Sequence, residues 1–144
     1  MEQELALENI PFGYYLCLNE SCPLKGTCLR WLAGEAKTCD EKYWSIISPK
    51  YQVTLSGRCP DYRPNRKVIY AKGFLKMLGR MSVNQSKSVI VSLISLFGQR
   101  TYYRVRKGER LLSPVEQQRV LNVLKRHGVS LPQEFDAYIE EYDW

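Results

Sequence analysis

The sequence predicts a mainly α protein, α with an irregular cysteine-rich region, in which a small metal-clipped N-terminal half packs on a C-terminal helical half. Three observations carry this prediction. All five cysteines and five of the seven prolines fall within the first 67 residues, and proline at that density breaks regular structure into short pieces. Two later stretches place apolar residues at helical spacing between capping signals. A length of 144 residues with 44% hydrophobic content is that of one folded domain. The chain is therefore read as a single domain, 1–144, made of a Cys/Pro-rich irregular half (1–67) and a basic helical half (68–144).

The opening residues, Met1-Glu2-Gln3-Glu4-Leu5, are acidic and lack the basic and apolar regions of a secretory signal. The longest apolar run, 89–97, contains two serines and falls short of the roughly 20 residues that span a bilayer. These features predict a cytoplasmic protein with no membrane partner. A reducing compartment disfavours disulfides, and five cysteines cannot all pair.

The cysteines follow the spacing C-x4-C-x5-C-x10-C-x19-C, and the first three lie in Cys17-Leu18-Asn19-Glu20-Ser21-Cys22-Pro23-Leu24-Lys25-Gly26-Thr27-Cys28. Three thiols this close can surround one ion when the chain turns tightly, and Pro23 and Gly26 supply turn chemistry. A tetrahedral site needs a fourth ligand. Cys59 is preferred to Cys39, because Cys59-Pro60 repeats the Cys22-Pro23 pairing. The expected ligand set is Cys17, Cys22, Cys28 and Cys59. Thiolate sulfur is soft and suits Zn²⁺, the first choice, or an iron–sulfur cluster, the alternative. Either group would contribute folding free energy to a half with little periodicity of its own. Cys39 is then a spare thiol or a redox partner.

In the second half, Ser82 and Gln85 form a candidate capping box, and Val89, Ile90, Leu93, Leu96 and Phe97 recur at helical spacing up to Gly98. A helix over 84–97 follows. A second helix is marked by Ser113 as N-cap, Pro114 at its first position, Glu116 at its third, and Lys125 and Arg126 before Gly128. Phe135, Tyr138, Ile139 and Tyr142 sit at i, i+3, i+4 and i+7 and predict a third helix over 132–142. For residues 99–110, between the first two helices, the aromatic and β-branched residues fit a strand, and the flanking Gly98 and Gly108 fit a short helix.

Charge is uneven along the chain. Residues 41–128 carry eighteen Lys/Arg against four Asp/Glu, whereas 1–40 carry three against six and 129–144 none against five. A basic middle between acidic ends points to a polyanion-binding surface or to an acidic tail folded onto a basic face. Arg100, Arg104, Arg106, Lys107 and Arg110 offer phosphate contacts, and Tyr102 and Tyr103 offer rings on which bases can stack. These seven residues are the candidate DNA or RNA interface. An acidic protein is the alternative partner.

Enzymatic chemistry is not expected. His127 is the sole histidine, placed in the last turn of a predicted helix where imidazole suits the negative end of the dipole. GxGxxG, Walker, HExxH and GxSxG patterns are absent from the sequence.

The run Cys22-Pro23-Leu24-Lys25-Gly26-Thr27-Cys28-Leu29-Arg30, the pairs Ser48-Pro49 and Cys59-Pro60, the stretch Tyr102-Tyr103-Arg104-Val105-Arg106-Lys107-Gly108-Glu109 and the segment from Ser113-Pro114 to Gln117 together resemble an uncharacterised domain-of-unknown-function family of Bacteroidota. The resemblance covers most of the chain and implies a bacterial, cytoplasmic protein without an established activity. Residues 86–127 are also weakly similar to helix-turn-helix regulators, in which a turn glycine leads into Arg-Thr-Tyr-Tyr-like residues. Taken together, these readings predict a metal-stabilised nucleic-acid-binding or regulatory protein. The alternatives are a protein-interaction module with a structural zinc, and an Fe–S or thiol redox sensor.

Overall fold

Helices dominate the secondary structure, but a two-stranded sheet makes the fold mixed rather than purely helical. The computed structural model describes residues 10–37, 40–56, 58–130 and 132–144. The chain divides into two compact units, residues 1–66 with 142–144, and residues 67–141.

The first unit is short of regular structure, as its prolines require. A 3-10 turn, Lys25–Thr27, leads into α1 (Leu29–Ala36), and α2 (Pro49–Gln52) is a single turn started by Ser48, whose Oγ accepts the Tyr51 N–H. Leu16, Leu29, Ala33 and Tyr142 form its buried cluster, with Tyr14 and Trp144 packed against it and edge to face with each other at 5.1 Å. Helix α1 runs beside the 16–18 segment at Gly34, where a Cβ would stand 3.4 Å from the Cys17 carbonyl oxygen, an ordinary contact distance. Among the described residues this cluster has four buried members, and small cores of this kind commonly depend on an added staple.

The second unit holds the larger core, fourteen buried residues that include Phe74, Leu93, Tyr102 and Leu124. It comprises β1 (Lys67–Lys72), α3 (Leu75–Gly79), α4 (Val83–Phe97), α5 (Gln99–Lys107), α6 (Pro114–Arg126) and β2 (Ala137–Tyr142), the last residue of which belongs to the first unit. β1 pairs with β2. The flanking bonds, Asp136 N–H to Gly73 O at 2.9 Å and Asp143 N–H to Arg66 O at 3.0 Å, join residue numbers that rise along one strand and fall along the other, so the pair is antiparallel. Ala71 and Leu112 exchange backbone bonds of 3.0 and 2.9 Å across an antiparallel bridge.

The helix expected over 132–142 is not formed; Ala137–Tyr142 is a strand. The apolar spacing misled because its members do not share a face. Phe135 is buried in the larger core and Tyr142 in the smaller, whereas Tyr138 and Ile139 remain 49% and 39% exposed. Tyr and Ile are at ease in a strand, and the Tyr138 hydroxyl accepts the Phe135 N–H at 3.0 Å, fixing the turn before it.

The sharply signalled helix is α6. Ser113 Oγ accepts the Glu116 N–H at 3.3 Å while Glu116 Oε1 accepts the Ser113 N–H at 3.1 Å, a complete capping box. At α4 only half of the expected box exists: Ser82 Oγ accepts the Gln85 N–H, but the Gln85 side chain donates instead to the His127 carbonyl at 3.3 Å. Gly98, at φ +82°, both ends α4 and begins α5, so one residue separates the two helices. Only glycine takes that backbone conformation readily. Among the described residues no helix is long and apolar enough to cross a membrane.

Candidate metal centre and basic helix

Cys17, Cys22, Cys28 and Cys59 line one cavity of about 180 Å³ in the first unit, and all four carry free thiols. Each reaches the cavity from a different piece of backbone.

Cys17 follows a parallel bridge between Leu16 and Ile46, where Leu16 N–H donates to Ser45 O and Ile47 N–H to Leu16 O, both at 2.9 Å. The Cys17 N–H donates in turn to Arg30 O of α1 at 3.1 Å. This bridge also delivers α2, from which Gln52 Nε2 donates to Cys17 Sγ at 3.1 Å.

Cys22 closes a turn onto Asn19 O at 3.2 Å, and its own carbonyl accepts the Lys25 N–H at 3.3 Å across Pro23. The 3-10 turn then carries the chain to Cys28, the N-cap of α1, which is 8% exposed. Cys28 makes no side-chain cap bond, so its sulfur is not engaged in holding the helix.

Cys59 arrives from thirty residues further on because Cys28 and Pro64 form an antiparallel bridge. Leu29 N–H donates to Arg63 O at 2.7 Å and Asn65 N–H to Thr27 O at 3.0 Å. Tyr62 N–H returns to Cys59 O at 3.3 Å over Pro60, and the Tyr62 and Thr27 hydroxyls meet at 2.9 Å. Arg30 Nε donates to Asp61 O at 2.7 Å, fastening the same loop to α1.

Lys25 and Arg30 bring positive charge to the cavity, and Trp31, Ile47 and Leu55 bring apolar surface. Lys25 Nζ lies 4.9 Å from the centre of the Trp31 ring, a cation–π contact. Cys39 lies outside the described residues. Among the described residues, no three Cys, His, Asp or Glu side chains gather tightly enough to hold a metal ion between them. Gln52, which touches a cavity thiol, carried no signal in the sequence: it is an ordinary polar residue 35 positions from Cys17, the thiol it contacts.

In the second unit, residues 99–107 form α5 rather than a strand. Tyr102 and Val105 point into the core, both 0% exposed, and Phe74 and Tyr103 lie against the Tyr102 ring at 6.0 and 5.1 Å. Burial pushes the Tyr102 phenol up from its ordinary value, with the neighbouring Arg106 guanidinium partly opposing. Arg100, Tyr103, Arg104 and Lys107 are exposed, and their i, i+3, i+4, i+7 spacing puts them on one outer stripe. Arg106 is half-buried. Arg110 lies beyond the helix, and its Nη1 is paired with Glu116 Oε2 of the capping box at 3.0 Å. The seven residues singled out in the sequence thus divide into an outer stripe of four, one core tyrosine and two partly buried arginines.

His127 is the C-cap of α6, and its Nε2 stands 2.8 Å from Ser92 Oγ of α4. This hydrogen bond and the one from Gln85 to the His127 carbonyl tie the end of α6 to α4.

Fold and site together define a class: a small α-rich protein with a four-cysteine pocket in one unit and a basic helix in the other. The chain belongs to a family of unknown function (DUF6078), matched over residues 1–144. Comparison with curated proteins and with solved structures gave no match.

Proposed function

We propose that this chain is a metal-centred nucleic-acid-binding protein, in which Cys17, Cys22, Cys28 and Cys59 hold a thiolate-ligated centre that staples the first unit. The carrying observation is that these four thiols, three from the run 17–28 and one from the remote loop at Cys59, line one cavity. Free cysteine is commonly buried as a small hydrophobe, but that role gives no reason for four of them to line the same cavity. The slight core of the first unit supplies the need: a metal bound there adds its binding free energy to folding. A reducing cytoplasmic setting suits thiols kept free of disulfides.

Nucleic acid is the favoured partner of the second unit because the outer stripe of α5 sets an exposed tyrosine among three cations. Cations alone serve any acidic surface, whereas an aromatic face between them adds base stacking. The reading accords with the weak helix-turn-helix similarity of residues 86–127, since α5 follows directly on a glycine turn and keeps its Tyr102 and Val105 side for the core.

The test is elemental analysis of the purified full chain and of its single Cys→Ser variants, with thermal unfolding before and after chelation. Metal at a fixed ratio to protein, lost in Cys17→Ser and Cys59→Ser and retained in Cys39→Ser, is the expected result. A metal-free chain whose unfolding ignores both chelator and the substitutions overturns the metal centre.

A further inference from the structure

One side of the two-stranded sheet is served by the rest of the chain. Ala71 of β1 exchanges both backbone bonds with Leu112, at 3.0 and 2.9 Å, and Ile69 O accepts Gln117 Nε2 at 2.8 Å. The register set by the bonds flanking the strands places Tyr138 opposite Ala71 and Glu140 opposite Ile69. Opposite residues in an antiparallel pair either bond to each other or both turn away. Because Ala71 and Ile69 turn away from β2, Tyr138 and Glu140 turn their N–H and C=O groups to the outer side. Among the described residues no further strand pairs there, and Tyr138, Ile139 and Glu140 are exposed. Next along that side, the Tyr142 carbonyl already accepts the Trp144 N–H at 2.9 Å, so Tyr138 and Glu140 are the open positions.

We propose that this outer edge of β2 is a docking site for an extended basic segment of another protein, which joins the sheet as a third strand. Bare strand edges are ready templates for pairing, and folded proteins commonly blunt them with lysine, proline or a bulge. Residues 137–142 contain neither lysine nor proline.

Charge selects the occupant. Residues 129–144 carry five Asp/Glu and no Lys/Arg. On an added strand, a cation across from Glu140 is favoured and a carboxylate there is repelled. Tyr138 and Ile139 point to opposite faces of the sheet and offer apolar surface to β-branched or aromatic neighbours. The fitting segment therefore alternates Lys or Arg with such residues and lacks Asp and Glu. In strand addition of this kind the backbone bonds supply affinity and the alternate side chains supply specificity. A second copy of the chain does not meet the requirement. Two β2 edges would set one acidic strand beside another, and β1, which begins and ends in lysine, has its own outer side taken by Leu112 and Gln117.

The test is fluorescence anisotropy of the full chain with a labelled peptide of about six residues alternating lysine with valine. A glutamate–valine peptide and a fully N-methylated lysine–valine peptide are the controls. The lysine peptide should bind, and both controls should bind at least about 10-fold more weakly. Glu140→Pro removes an outward N–H without removing a bond to β1, and it should weaken the lysine peptide about 10-fold. If circular dichroism shows that this variant does not fold, Glu140→Lys takes its place. It should weaken the lysine peptide and strengthen the glutamate peptide, each about 5-fold. No binding of the lysine peptide, or binding that ignores these substitutions, overturns the proposal. Equal binding of the N-methylated peptide overturns strand addition and leaves only attraction between charges. Self-association that Glu140→Pro abolishes and the lysine peptide cannot displace makes a second copy the occupant, and overturns the proposal as well.

Discussion

The Gln52 side-chain amide donates to Cys17 Sγ across 3.1 Å, linking a single-turn helix to one of four thiols that share a cavity. A thiol has little need of such a donor; a metal-bound thiolate, with negative charge on sulfur, does. Replacing Gln52 by Leu keeps the bulk and removes the donor. Outer-shell changes of this type typically cost about 10-fold to 100-fold in metal affinity. The expected outcome is metal retention at least about 10-fold weaker in chelator competition, with the helical content unchanged. Equal retention would make the contact incidental packing.

The outer stripe of α5 predicts effects that separate by residue. Arg104→Ala and Lys107→Ala should each flatten the dependence of log affinity on log salt by about 0.9 for duplex DNA or about 0.7 for a single strand. Tyr103→Ala should leave that slope alone and weaken single-strand binding by about 1–3 kcal/mol. Arg110→Ala is the control, because its guanidinium is paired with Glu116. It should lower stability by less than about 1 kcal/mol and leave the salt slope unchanged. Titrations of a fluorescent oligonucleotide at several salt concentrations measure all four. Four identical slopes would remove α5 from the interface.

Asp136 caps α3 from a distant part of the chain. Its carboxylate oxygens accept the Leu75 N–H at 2.9 Å and the Lys76 N–H at 3.0 Å, donors that Phe74 at the N-cap position leaves unserved. Asp136→Ala should therefore cost about 1–3 kcal/mol in urea unfolding, and Asp136→Asn less, since one acceptor oxygen survives. Gly73→Ala should cost as much or more. Gly73 sits at φ +78°, and a Cβ there would lie 2.8 Å from Asp136 Oδ2 and 3.2 Å from Arg106 O. A Gly73→Ala protein as stable as the original would show that this corner yields easily.

Local signals were the legible ones. Ser113, Pro114 and Glu116 state the start of α6 within four consecutive residues, and the structure repeats them atom for atom. Gly98 and Gly108 bracket α5, but whether the residues between them formed helix or strand depended on core partners for Tyr102 and Val105 that lie elsewhere in the chain. The strand Ala137–Tyr142 was missed for the same reason: its pairing partner, β1, is some seventy residues away, and the i, i+3, i+4, i+7 spacing of its aromatic and aliphatic residues arises from two separate cores. At the site, spacing alone nominated the four cysteines that line the cavity. It carried no information on Gln52 as a neighbour of Cys17, because the Leu16–Ile46 bridge that brings them together joins segments about thirty residues apart, whereas Lys25 and Arg30 lie within or beside the Cys22–Cys28 run itself.

Alkaline pH provides a test of the larger core. Burial raises the Tyr102 phenol above its ordinary value, with Arg106 partly opposing, and burial raises Tyr14 in the same direction, opposed by Arg30 and Arg63. A phenol raised in the folded state favours the neutral form there, so the unfolded chain releases its proton first. The stability this confers is fully present below about pH 10, the ordinary phenol value, and is lost as pH rises through the folded value. The unfolding midpoint should therefore hold level on the neutral side and fall above about pH 10. Tyr102→Phe keeps the ring against Phe74 and Tyr103 and removes one titrating group, so the decline should become shallower; Tyr14→Phe added to it should make it shallower still. Both variants would be followed by circular dichroism in denaturant at a series of pH values. If Tyr102→Phe leaves the alkaline decline unchanged, the Tyr102 phenol ionises without cost in the folded chain and is not held in the dry core described here.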